Sequence, residues 1–415
     1  MSSATRTLVL LSGLAAVGTL STTIILPSFP AMAASLDASA ADMALTLSSF
    51  FLVFALGQLL VGPLSDRYGR RPLILGGLIL FVLGSLLGAS ATDLNTMIAA
   101  RVTQAAGVCA ASVLARAVAR DLYDGPVLAK ALAFIMVAMA AAPGFSPLLG
   151  SVIDSQLGWR TSFVLVAAVG VILIISYALS MGETHAPSAR LKMTAGAIAR
   201  SYLQLLADRR FALPALSVSL VIGGLYAFFA SAPAIMMRGM GYSSMQLGVF
   251  FAATVLVVFS TGVLAPRLAQ RWGAVQVAVF GSLLALAGGT LQVLLYEGQD
   301  LMQFSLAICL FLAGMGVINP LGTAVTLQPF AEQAGLASSL LGFLQMTIAA
   351  IGTGLISATA LPPSLTLGLL LSGAALCSLA GFFLYPASSA RLNREAAQPQ
   401  PAAIAQSPPN PGSRR

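Results

Sequence analysis

The chain has 415 residues, 58% hydrophobic and only 8% charged, with a formal net charge of +8 and a mean hydropathy of +0.92. An ordinary soluble domain carries about 25% charged residues, so this composition excludes a water-soluble globule. Apolar runs of about 20 residues, each long enough for a ~30 Å hydrocarbon core, stand in its place. In lipid only helices and closed barrels satisfy their own backbones. Barrel strands alternate polar and apolar residues, and runs such as LILGGLILFVLGSLLG do not. The fold class is an all-α membrane protein.

Taken in order, MSSATRTLVLLSGLAAVGTLSTTIILP opens with an apolar run longer than the 7–15 residues of a signal-peptide core. With further spans following, it reads as a retained first helix over 8–27. Spans two to six are predicted over 43–64, 72–91, 95–118, 128–152 and 159–181, and spans seven to twelve over 211–236, 246–266, 273–296, 301–326, 335–359 and 363–385. The reading gives an N-terminal six-helix bundle (1–181), a polar central loop (182–210), a C-terminal six-helix bundle (211–385) and a tail (386–415). The tail, rich in Pro, Ala and Gln, is expected to be disordered. Cys109, Cys309 and Cys377 lie far apart in apolar segments, and the single His185 falls in a polar loop, so no spacing suggests a metal site or a disulfide framework.

Lys and Arg concentrate in the cytoplasmic loops of such proteins. With a cytoplasmic N-terminus, eighteen of the 21 Lys and Arg fall on the inner side. The exceptions are Arg101 within a span and Arg160 and Arg238 in outer loops. Shifting the count by one span destroys that segregation. The expectation is a multi-pass membrane protein with both termini cytoplasmic. The positive charge is topology rather than a nucleic-acid surface, because it is spread over loops and not gathered among aromatics.

One short turn breaks the avoidance of charge. GPLSDRYGRRP (62–72) joins spans two and three. Its arginines suffice to hold a loop inside, but its Asp and glycines are not needed for that. Gly62 allows close helix approach, and Asp66 and Arg70, four apart, can pair on one helical face. GVLAPRLAQRWG (262–273) echoes it after span eight, with Gly262 and Arg267 in the places of Gly62 and Arg67, and Pro266 where Asp66 stands. Two parallel six-helix halves with a substrate site between them near mid-membrane are the repeat pattern of one large transporter fold.

The 62–72 stretch resembles the loop 2–3 signature of the major facilitator superfamily, G-x-L-a-D-r-x-G-r-k. The resemblance implies twelve helices in two six-helix pseudo-repeats and a gate built from Gly62, Asp66, Arg67, Gly69 and Arg70. In that gate Asp66 meets basic residues at the end of helix 4, here Arg116 and Arg120, and the N-terminal end of helix 11. MIAARVTQAAG (97–107) resembles the helix 4 motif with a buried Arg, here Arg101, followed by Gln104 and Gly107. An Arg some 9 Å into a span must face a cavity or a partner, or else snorkel to the outer interface. AAPGFSPLLGS (141–151) resembles the helix 5 antiporter motif through Pro143, Pro147 and Gly150. A kink without transport meaning is the alternative.

LPSFPAMA, ARAVARDLY, FASAPAIMMRGMGYSSMQLGVFFA and AGLASSLLGFLQ together resemble the Bcr/CflA family of drug:H+ antiporters along almost the whole chain up to the tail. That family usually has an acid in helix 1, in S-T-D-x-Y-L-P, where this chain has Thr23. None of the thirteen acidic residues falls in the middle of a predicted span, and Asp154 is the remaining candidate for a proton carrier. Because helices 1, 4, 7 and 10 line the pathway in the superfamily, the resemblance implies a substrate cavity walled by Thr23, Gln104, Tyr226, Phe228, Phe229 and Asn319.

The resulting expectation is a monomeric, non-enzymatic exporter of small amphiphilic drugs or metabolites, working by alternating access in exchange for protons. It needs no cofactor or metal and has lipid and small molecules as its partners. An uncoupled facilitator or exchanger on the same fold is the first alternative. A membrane enzyme or receptor is disfavoured, because there are no paired carboxylates, no nucleophile motif and no extramembrane domain.

Overall fold

The computed structural model describes residues 3–185 and 195–397. Among these, twelve helices are long and apolar enough to cross a membrane. The first half comprises α1 (Ser3–Thr23), α2 (Phe29–Ser35), α3 (Ala40–Tyr68), α4 (Arg70–Ala89), α5 (Leu94–Leu122), α6 (Gly125–Leu157) and α7 (Arg160–Ser180). After α8 (Ala195–Ala207), the second half comprises α9 (Arg209–Ala232), α10 (Ser244–Trp272), α11 (Ala274–Leu294), α12 (Leu301–Leu327), α13 (Ala334–Ala358) and α14 (Pro363–Ala397). The end that carries the clustered arginines is here the basic face, and the opposite end the far face.

The halves repeat each other in detail. α3 and α10 each run 29 residues from a serine capping box, Ser39 with Asp42 and Ser243 with Gln246. Each ends at a glycine in the left-handed region, Gly69 (φ 98°) and Gly273 (φ 88°), where a residue with a Cβ would be strained. The next helix starts at once. These glycines correct the register read from sequence. Counting back from them, Arg67 and Tyr68 match Arg271 and Trp272 rather than Arg267 and its neighbour, a shift of one helical turn. The side chains agree with this alignment, since Arg67 lies over the Tyr68 ring and Arg271 over the Trp272 ring, at 5.2 and 5.7 Å.

Within each half, glycine brings two backbones together at matching places. A Cβ on Gly77 would lie 2.6 Å from the Gly107 carbonyl oxygen, and one on Gly281 would lie 3.0 Å from that of Gly314. With lipid tails as apolar as leucine, such close packing is what holds α4 to α5 and α11 to α12.

The first span of each half is broken near the far face. α1 stops at Thr23 and passes through a 3-10 turn (Leu26–Ser28) into α2. α9 passes into a wide π-type turn over Pro233–Gly239. Prolines at 27, 30 and 233 remove helix donors there.

Two parts of the chain differ from the sequence expectation. The 182–210 loop contains α8, whose Tyr202 and Leu205 are buried with Phe211, Ala215, Leu340 and Leu341. Ile198, Tyr202 and Leu205 recur at helical spacing, a period hidden by the polar residues around them. Residues 386–397, expected to be disordered tail, continue α14 as helix. This stretch, PASSARLNREAA, is rich in good helix formers after its proline. The rest of the tail, 398–415, lies outside the described residues.

Replacing Gly107 by Leu is expected to drive α4 and α5 apart and destabilise the protein by roughly 1–3 kcal/mol. The check is a lowered melting temperature and a lower monodisperse yield of purified protein, against an unchanged control such as Gly76→Ala, where a Cβ meets nothing within 4 Å.

Candidate functional site: the seam, the basic gate and a buried arginine

The two halves meet mainly through α3 on α13 and α6 on α10, whereas α5 and α12 pack within their own halves. Along α3, Ser48 Oγ donates to the Ala350 carbonyl at 2.8 Å. Gln58 lies against Gly342, and Gly62 faces Ser339, with a Cβ at Gly62 only 3.8 Å from its hydroxyl. Along α6 the contact is confined to the far half, where Gly144 meets Val255, and Pro147, Leu148 and Ser151 surround Gly248. Toward the basic face the same helices part. Ala133, Val137 and Ala140, which continue at i+3/i+4 spacing the side of α6 that carries Gly144 and Pro147, are exposed there.

The far face is shut. Phe29, Pro30, Ala40 and Met43 of the first half and Ala230, Pro233, Ala234 and Arg238 of the second enclose only about 10 Å³, room for roughly one water. A larger apolar groove of about 580 Å³, between Leu20 of α1 and the Phe145 side of α6, lies on a flank of the first half. Every residue lining it belongs to the first half, and Leu148, which also borders Gly248, marks its edge toward α10.

At the basic face Arg70, almost wholly buried, is the hub. Its Nη1 lies 2.6 Å from Asp66 Oδ1 and its Nε 3.3 Å from Asp121 Oδ2, and Nη1 also donates to Ser65 Oγ. Glu183, at the start of the central segment, accepts the backbone N–H groups of Arg70 and Arg71 at 2.8 and 3.1 Å. It thus supplies the cap that Gly69 cannot give to α4. Thr184 donates to Asp121 at 2.9 Å. Tyr202 of α8 reaches across to the Leu59 carbonyl of α3 at 3.3 Å, and burial raises its phenol above the ordinary range.

The expected contact of Asp66 with Arg116 and Arg120 is not formed. Gly107 marks the side of α5 that touches α4, and Asp121, about four turns further on, lies on that same side. Arg116, about half a turn round, points away and donates to Met139 Sδ at 3.7 Å, while Arg120 is exposed. The fourth span, α5, therefore gives this charged cluster an acid rather than a base. Asp121, Glu183 and Ser65 were missed by sequence reasoning. The clustering of Asp121, Glu183 and Thr184 at the ends of α5 and α7, beside the basic turn, was the available signal.

Arg101 is fully buried, which excludes the snorkelling alternative. Its Nη1 donates to the Ser21 carbonyl at 3.1 Å and to Gln104 Oε1 at 2.8 Å, and Gln104 donates to Ser85 Oγ at 2.8 Å. The guanidinium lies 4.4 Å from the Phe50 ring centre. The Ser21 carbonyl belongs to the last turn of α1, where the helix dipole is negative, and the break at Thr23 leaves it available. Thr23 itself donates to the Thr19 carbonyl at 2.8 Å, and its hydroxyl meets that of Ser146 on α6. Gly150 leaves no room for even a methyl group against the Ile24 carbonyl. Pro143, Pro147 and Gly150 thus sit on a continuous α6 wedged between α1 and α10. Asp154 is half-buried near the far end of that helix.

Of the residues expected to wall a cavity, Tyr226 meets Phe51 of the other half with ring centres 4.5 Å apart and Phe229 at 6.1 Å. Asn319 is partly exposed on α12. Phe228 is a correction. Two residues on from Tyr226, it points back into its own half and packs on Phe251, Phe250 and Phe304, with centres 5.5 to 6.4 Å apart.

A twelve-span bundle of two matching halves, sealed at one end and parted at the other, is the architecture of a membrane transporter. The family model of the Major Facilitator Superfamily matches residues 11–353, and the chain belongs to that superfamily. It is 31% identical over 352 residues to the uncharacterized MFS-type transporter YdgK of Bacillus subtilis, covering 84% of this chain and 87% of that one. It is 30% identical over 360 residues to multidrug resistance protein D of Escherichia coli, with the same coverage. A bicyclomycin resistance protein homolog of Haemophilus influenzae matches at 28%, covering 83% and 87%. Among solved structures, the human organic anion transporter MFSD10 superposes with a TM-score of 0.70 at 18% identity, over 93% of this chain and all of that one.

Arg70→Ala is expected to cost about 1–3 kcal/mol, because it leaves the part-buried Asp121 without its cation. A thermal-unfolding double-mutant cycle checks this, with Asp121→Asn costing less in the Arg70→Ala background than in the wild type.

Proposed function

We propose that the protein exports small amphiphilic drugs or metabolites from the bacterial cytoplasm across the inner membrane by alternating access, in exchange for protons. Similarity to multidrug and bicyclomycin resistance proteins over more than four-fifths of the chain supports export of such compounds. The observation that carries the alternating-access part is the asymmetry of the α6–α10 seam, closed toward the far face and parted toward the basic face. The basic face is the cytoplasmic one in this reading, and both termini lie on that side. Opening to the other side requires the far seam to separate while the charged cluster around Arg70 draws the basic ends together.

A second reading keeps the fold and drops the proton. It is favoured by Thr23, a hydroxyl where the resembling family has an acid, and by the position of Asp154 close to the end of α6. Antiport needs a group that changes protonation between the two sides, and Asp154 is the carrier assigned here.

In energised inverted vesicles, an exported compound found by a growth screen against toxic molecules should enter the lumen and partly dissipate the pH gradient. Equal movement with the gradient collapsed contradicts proton exchange and selects the second reading. Asp66→Asn should insert normally but transport at no more than about a tenth of the wild-type rate. Full transport by that variant reduces the turn to a topology signal.

A further inference from the structure

The charge lining of the spans has an unusual sign. Around Arg101, α1 and α4 carry no acid. The acids of α3 are Asp42 and Asp66 near its two ends, α5 has only Asp121 in its last turn, and α6 only Asp154 near its far end. Arg101 is therefore held by neutral groups alone: the Ser21 carbonyl, Gln104 Oε1 and the Phe50 ring. Its Nε and Nη2 have no hydrogen-bond partner among the described residues, although both atoms are out of solvent. Thr23, on the same stretch of α1, spends its hydroxyl on Thr19 and Ser146 and not on the guanidinium. A buried cation with two unpartnered donors, and no carboxylate on the middle of the helices around it, has the chemistry to take an anion.

Aromatic rings connect that site to the seam. Phe50 contacts Phe51 and Phe54, each with ring centres 6.0 Å apart. Phe51 in turn meets Tyr226 of the second half at 4.5 Å. An apolar or aromatic body lodged among these rings would carry its head group to the unused donors of Arg101, whose planar fork suits a carboxylate or another oxyanion.

We propose that Arg101 is the anion-binding subsite of the transport pathway, and that the substrates are amphiphiles bearing a negative head group. The inference rests on the export reading and names its substrate class. The full-length protein in lipid nanodiscs is titrated with three probes of one shape: 1-naphthoate, 1-naphthylmethanol and 1-naphthylmethylammonium. Sodium chloride alone is the control for an inorganic anion.

The expected result is that naphthoate binds at least tenfold tighter than the ammonium probe. Arg101→Gln abolishes that preference and Arg101→Lys retains part of it. The proposal is overturned if the ammonium or the alcohol binds as well as naphthoate, if none of the three binds, if chloride alone reproduces the naphthoate effect, or if Arg101→Gln keeps the preference. Should Arg101→Gln not fold, the ranking of the three probes on the wild type and on Arg101→Lys decides. Proteoliposome transport separates the two readings. Binding of naphthoate through Arg101 with no compound moved refutes export and leaves the subsite. Export of compounds regardless of charge refutes the subsite and leaves export.

Discussion

No water reaches the core of a bilayer, so every polar group inside the spans must find its partner in the protein, and that constraint organises this molecule. The hydroxyls of Thr23, Thr46, Ser85, Ser219, Thr326 and Thr353 bond back to carbonyls of their own helices. Full charges are pushed to the ends, where Arg70, Asp66, Asp121 and Glu183 form a single connected cluster. Arg101 is the exception. It is tolerated because α1 breaks beside it and turns a negative helix end toward the guanidinium. The break in α1, the gap that Gly150 leaves for Ile24, and the polar pair Arg101–Gln104 are therefore one local solution rather than three separate features.

The same constraint explains how the molecule can be both well packed and movable. Within each half, glycine-to-glycine approaches bind α4 to α5 and α11 to α12 at matching positions, giving two rigid bodies. Between the halves the contacts are of another kind. They are small-residue faces, single hydroxyl-to-carbonyl bonds such as Ser48 to Ala350, and aromatic edges such as Phe51 to Tyr226. Such contacts can slide or part without stranding a charge in lipid. The charged cluster sits within the first half at the basic face, next to Gly62 and its neighbour Ser339 on α13, and α8 spans the junction beneath. Motion of the seam thus changes the surroundings of the cluster without first having to break it.

Much of this was legible in the sequence. The twelve spans follow from hydropathy alone; the 62–72 turn lies where α3 ends and α4 begins, and the 141–151 stretch lies on the part of α6 between α1 and α10. Local composition did not reveal which side of a helix a residue faces. Arg116 and Asp121 differ by five positions, enough to decide which of them meets Arg70, and Phe228 differs from Tyr226 by two, enough to point it into its own half. The repeat was matched on Gly62 and Gly262, whereas the positive-φ glycines 69 and 273 fix the true register; backbone conformation rather than residue identity decides that alignment. The amphipathic period of α8 was masked by the charged residues on its other face.

The central claim is that the far seam must open for transport while the basic face closes. It is tested most directly by tethering that seam. In a background with Cys109, Cys309 and Cys377 replaced by serine, Ala40→Cys and Ala234→Cys are joined by a short bifunctional thiol reagent, and export from reconstituted vesicles is measured before and after. The account predicts that the tether stops export, and that cleaving a reducible version restores it. Undiminished export with the far seam held shut would contradict it.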